Sequence, residues 1–130
     1  MRLPLETHIW IWSVLTPERL VHRARKEIGD IASELWVSPL SIWEFLLLCR
    51  KGQLTLEDPN EWLAQATAVA EIKDTGLTFE IAQEADRFRL AHKDPIVRLL
   101  VATARVLDMT LVTADRKLIE AKKCAILACI

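Results

Sequence analysis

Leu35-Trp36-Val37-Ser38-Pro39-Leu40-Ser41-Ile42-Trp43-Glu44 is the stretch that decides the architecture. Its first three residues are apolar in succession, as in a short strand buried on both faces. Ser38 followed by Pro39 then reads as a helix start. A capping hydroxyl precedes a ring whose fixed φ suits the first helical position. Ile42, Phe45, Leu46 and Cys49 continue at helical spacing, and Lys51-Gly52 ends the run. A doubly buried strand feeding a helix is the unit from which parallel sheets are built.

The unit repeats in both directions. Upstream, residues 1–5 (MRLPL) predict a first strand, with Pro4 tolerated near a strand start. Thr16-Pro17-Glu18 predicts a helix to about Glu27, stopped at Gly29. The apolar Ile9-Trp10-Ile11-Trp12 between them carries no clear period. Downstream, Asp58-Pro59 opens a helix through about Val69, and Glu71–Asp74 is a short strand before Gly76. Thr78 caps a helix carrying Phe79, Ala82, Ala85 and Phe88, and Asp94-Pro95 opens another to about Leu107. Thr110–Thr113 is a short strand, a helix follows from Arg116 to about Lys122, and Cys124–Ile130 is a last strand. The expected fold is α/β, with a central, mostly parallel β-sheet flanked by helices on both sides.

Length and charge narrow the function classes. A chain of 130 residues predicts a single domain, 1–130. Hydrophobic residues at 52% argue for a packed core and against disorder. The longest apolar runs, such as 96–104 with Arg98 inside it, fall short of the ~20 residues of a membrane span, so no membrane partner is expected. A net charge of −1 argues against a protein that coats DNA non-specifically. The early Glu6 and His8 do not suit a secretion signal, and Cys49, Cys124 and Cys129 lack metal-ligand spacing. The expectation is a cytoplasmic protein with reduced thiols.

In parallel sheets ligands gather at the carboxyl ends of the strands. Glu6 follows the first strand, Glu44 lies in the first turns after the second, and Asp115 follows the Thr110–Thr113 strand. Such acids also serve as caps or solvated residues, and Asp94 before Pro95 suits a cap best. Carboxylates drawn together repel one another unless a cation neutralises them. Mg²⁺ or Mn²⁺ prefers such oxygen donors, and can activate water for phosphodiester hydrolysis. Thr113 is placed to hydrogen-bond a site carboxylate or water, and Arg98 to touch phosphate or pair with an acid. The five tryptophans suit core packing better than base stacking. Basic residues recur at 19–26, 87–93 and 116–123, on helix faces that could also guide an RNA backbone.

These residues resemble those of the VapC-type PIN-domain toxins. Leu5-Glu6-Thr7-His8-Ile9-Trp10-Ile11-Trp12 is similar to the family's LDTHxxLW opening, and Val37–Glu44 to its VSxxSxWE segment. Lys51-Gly52-Gln53-Leu54 resembles KGKL, His92–Leu100 resembles HxDPFDRLL, and Leu111–Asp115 is LVTAD itself. The resemblance implies a PIN fold and a Mg²⁺- or Mn²⁺-dependent endoribonuclease. It also implies the toxin of a toxin–antitoxin pair, commonly a homodimer, inhibited by a small antitoxin protein. It maps the family's acidic site to Glu6, Glu44, position 97 and Asp115, so Glu6, Glu44 and Asp115 are the expected catalytic and metal-holding residues; Asp94, Thr113 and Arg98 are expected in support on their own placement. Two positions depart from the pattern. Glu6 stands where the family has Asp, and Val97 stands where it has an acid. Two readings stay open: a nuclease weakened by these changes, or an impaired PIN module that mainly binds its antitoxin.

Overall fold

Strand β1 (Arg2–Pro4) lies in the middle of the molecule because both its edges are paired. The computed structural model describes residues 1–130. On one side β1 pairs in parallel with β2 (Glu34–Val37), which pairs with the two-residue β3 (Lys73–Asp74). On the other side Leu5 bridges to Val112 of β4 (Leu111–Thr113), and β4 pairs in parallel with β5 (Ile126–Ala128). The Leu5 N–H donates to the Trp36 carbonyl at 2.9 Å, and the Glu6 N–H to the Val112 carbonyl at 3.1 Å. The spatial order is β3-β2-β1-β4-β5, all parallel as expected. The chain steps outward from β1 to β3, then crosses back and continues through β4 to β5. The order therefore reverses between β1 and β4, where open α/β sheets form their binding crevice.

Seven α-helices complete the fold: α1 (Thr7–Leu15), α2 (His22–Gly29), α3 (Pro39–Arg50), α4 (Pro59–Val69), α5 (Phe79–Ala85), α6 (Pro95–Leu107) and α7 (Arg116–Ala121). Their starts follow local chemistry. Ser38, Asp58, Thr78, Asp94 and Asp115 each accept a backbone N–H two or three residues on, and Pro stands at the first position of α3, α4 and α6. Gly52 takes φ +76° just after α3, a conformation that costs side-chain-bearing residues energy.

Four expectations change. Helix α1 arises from the apolar stretch that showed no period, because Thr7, Ile9, Trp10 and Ile11 are all buried and no polar face is needed. The helix expected from Thr16 is broken: a 3₁₀ turn at Pro17–Arg19 precedes α2 at His22. Helix α5 ends at Ala85, so Phe88 lies beyond it in the core while Phe79 is 92% exposed. The last strand starts only at Ile126.

Two apolar clusters sandwich the sheet. Leu111 enters the cluster of α5, α6 and α7, and its neighbour Val112 enters the cluster of α1, α2 and α3, as alternation along a strand requires. Trp10, fully buried, meets Phe45 edge-to-face at 5.6 Å, and Phe45 stacks on Trp62 at 4.9 Å. Phe45→Ala leaves a hole in this trio and is expected to cost about 3–5 kcal/mol. Urea unfolding checks it; a loss under about 1 kcal/mol would show that Phe45 does not hold α3 to the sheet.

Candidate active site

Glu6 is fixed by the end of β1. Its backbone is tied to Val112, it sits at the N-cap of α1 without capping it, and its side chain is 16% exposed. Asp115 occupies the matching place after β4, one strand away across the crevice. Its Oδ1 accepts from the N–H groups of Lys117 at 2.9 Å and Leu118 at 3.2 Å, which starts α7. Its Oδ2 contacts His92 Nε2 at 2.8 Å. Burial pushes the Asp115 carboxyl upward, but the hydrogen bond from His92 and the two helix N–H groups hold it below its ordinary value.

Glu44 lies on α3, half-buried, one turn after the buried Ser41. His8 stands on the first turn of α1, beside Glu6. His8 Nδ1 lies 3.6 Å from Glu6 Oε1. Glu6 raises the His8 pKa most, burial opposes, Glu44 adds a smaller rise, and Arg19 opposes again. Glu6 thus contacts the His8 imidazole and Asp115 that of His92. No three His, Cys, Asp or Glu side chains come together as a metal-holding group.

The expected supporting residues have defined tasks. Asp94 caps α6 through Ile96 N–H at 2.9 Å. Thr113, fully buried, accepts from the Asp115 backbone N–H at 3.0 Å rather than touching a carboxylate. Arg98 forms no ion pair: its guanidinium donates to the carbonyls of Ala85, Phe88 and Leu90 at 2.7, 2.9 and 3.1 Å. Trp43, beside Glu44, is 56% exposed, against the expectation of a core tryptophan. His92 was not among the expected site residues, because its partner lies 23 positions away and no local spacing announces the contact.

A PIN-domain profile matches residues 5–123. The chain belongs to the PIN-domain family. Ribonuclease VapC22 of Mycobacterium tuberculosis is 32% identical over 116 residues, covering 88% of this chain and 87% of that protein, so this PIN domain is VapC-like. Its fold matches VapBC2 of Rickettsia felis, solved bound to a DNA fragment from the promoter, at a TM-score of 0.73 and 12% identity, covering 98% of both chains. It also matches a toxin–antitoxin complex from Klebsiella pneumoniae at a TM-score of 0.67 and 14% identity, again covering 98% of both. In this PIN domain Val97 lies in the first turn of α6, 6% exposed, within the α5–α6–α7 apolar cluster.

A carboxyl held below its ordinary value stabilises the fold above its unfolded pKa, here 3.8, and loses that contribution as pH falls through the folded value. In EDTA, Asp115→Asn should therefore lower the urea midpoint of this PIN domain well above pH 3.8, and the gap should close on acidification. A gap of constant size would show that Asp115 contributes no charge-dependent stability.

Proposed function

We propose that residues 1–130 act as one PIN domain, the Mg²⁺- or Mn²⁺-dependent endoribonuclease toxin of a toxin–antitoxin pair, with Glu6, Glu44 and Asp115 as its catalytic carboxylates. The observation that carries this reading is the placement of Glu6 and Asp115 at the carboxyl ends of β1 and β4, on either side of the reversal in strand order. The donor set fits the cation. All three groups offer hard carboxylate oxygens. Two fully buried hydroxyls without any partner, Thr7 Oγ1 and Ser41 Oγ, adjoin Glu6 in sequence and Glu44 on its helix face. Unpaired buried polar atoms are rare and mark places where a partner belongs.

A bound divalent ion supplies charge neutralisation and water activation for phosphodiester hydrolysis. The chain's own residues do the rest. The Asp115 carboxylate is held by two backbone N–H groups and the Glu6 backbone by Val112, so at Asp115 little ordering is left for the moment of binding. Lys93, Arg116 and Lys117 are exposed next to His92 and Asp115, where they can meet RNA phosphates. The likeness to VapC22, named a ribonuclease, supports the activity. Structural neighbours solved as toxin–antitoxin complexes support an antitoxin partner, and homodimerisation and a cytoplasmic site of action belong to the same reading. Val97 favours a second reading, an impaired domain whose main task is to hold its antitoxin, because valine can neither ligate a cation nor accept a proton.

Cleavage of a mixed RNA pool separates the two. Under the first reading the purified chain cuts with Mg²⁺ or Mn²⁺, and EDTA or Glu44→Gln abolishes cutting while the circular dichroism spectrum is kept. Val97→Asp should then cut faster than the parent, gaining at least about tenfold, the scale on which one correctly placed charge acts in catalysis. Cutting by Glu44→Gln at the parental rate would refute the site. Silence in both the parent and Val97→Asp would favour the antitoxin-binding module.

A further inference from the structure

We infer that His92 is the positioning residue of Asp115, setting which carboxylate oxygen is left for the cation; this rests on the proposed site. A carboxylate has about four acceptor positions. Lys117 and Leu118 take two, both on Oδ1, and His92 takes one, on Oδ2. The position that remains is on Oδ2, the oxygen His92 already holds. A cation therefore meets Asp115 through one oxygen whose direction the imidazole fixes, since a capped carboxylate without His92 keeps freedom to turn about its last bond.

The imidazole is itself held at both nitrogens. Nδ1 accepts from the Asp94 N–H at 3.2 Å, so the ring proton lies on Nε2 and is directed at Asp115. Asp94 is locked in turn as the cap of α6. The segment carrying His92, between α5 and α6, has no regular structure of its own. It is pinned from α6 by Arg98, which grips the carbonyls of Ala85, Phe88 and Leu90. Held this way, the His92 side chain is 15% exposed, which shields its bond to Asp115 from water. The result is one chain of contacts from the α6 N-terminus, through the imidazole, to the α7 N-terminus. Such outer partners of a ligand are worth roughly 10–100-fold in metal affinity.

The test is calorimetric titration of the metal-free protein with Mn²⁺, beside thermal melting without metal. His92→Phe should weaken Mn²⁺ binding roughly 10–100-fold. His92→Gln, whose amide places an N–H near the Nε2 position, should recover most of the loss. His92→Asn keeps an acceptor near Nδ1 for Asp94 and lacks the outer donor. It should bind as weakly as His92→Phe, and it replaces that variant if phenylalanine prevents folding. A merely structural role would lower the melting temperature of the variants and leave the affinity unchanged. Folded His92→Phe or His92→Asn binding Mn²⁺ as the parent does overturns the inference alone. A parent that binds no Mn²⁺, or Asp115→Asn binding as the parent does, overturns the proposed site and the inference together.

Discussion

The pairing of β1 with β4 is what the rest of the molecule hangs on. Only one residue bridge, Leu5 with Val112, and the adjoining hydrogen bond from the Glu6 N–H join the β1–β2–β3 and β4–β5 halves of the sheet at this edge, with Thr110 N–H reaching the Arg2 carbonyl at the other. That contact is short because the strands are short, so it cannot stand on ladder hydrogen bonds alone. It is closed in from both faces. Leu3 and Leu5 enter one apolar cluster with Trp10, Phe45 and Val112, and Leu111 enters the other with Leu100, Val101 and Leu118. Burial on both sides fixes the register, since a slip of one residue would turn each of these side chains to the wrong face. The same register sets Glu6 and Asp115 at one edge, so the packing of the core and the placement of the acids are a single constraint.

Much of this was legible because it is local. The helix starts at Ser38-Pro39, Asp58-Pro59, Thr78 and Asp94-Pro95 are each decided by two or three neighbouring residues, and the side chains do cap where capping chemistry says they should. The alternation of strand and helix follows from the same signals. What was hidden is non-local. Thr7–Leu15 has no polar side to reveal a helical period, and only the surrounding elements tell why: Thr7, Ile9, Trp10 and Ile11 are all buried. The break at Leu20 and Val21 follows from Leu20 turning into the core, which no cap residue announces. Strand order is equally silent in the sequence, so the adjacency of Glu6 and Asp115 became definite only with the fold. His92 and Arg98 belong to this class too. An arginine in an amphipathic helix suggests an acid partner, yet three carbonyls of an irregular segment take its donors.

The two departures from the family pattern act on different terms. Glu6 keeps its charge and its backbone anchor, so the change lies in the reach of one methylene. Val97 changes the kind of interaction at its position. A carboxylate in the first turn of α6 would, under the proposed function, add like charge to the site of Glu6, Glu44 and Asp115, a repulsion that a cation relieves. Valine instead joins Ile81, Phe88 and Leu100, and full burial of such a side chain is worth about 1.5–3 kcal/mol. At this position valine therefore contributes to the core, whereas under the proposed function an acid would contribute only with a cation bound. That is the direction in which stability and activity ordinarily oppose each other.

Under the proposed function Glu6, Glu44 and Asp115 act without an acid at position 97, and their geometry matters the more. Glu44 rides on a long helix, and Glu6 has its backbone fixed but a flexible side chain. Asp115 alone has its carboxylate held at both oxygens. An oxygen-donor site of this kind needs at least one rigid member against which a hydrated cation can be oriented while flexible carboxylates close on it. The contacts through Arg98, Asp94 and His92 place that rigidity at the end of β4, beside the helix turn that lost its acid. Under the proposed function, cation binding at Asp115 depends on how firmly α6 holds the segment that carries His92.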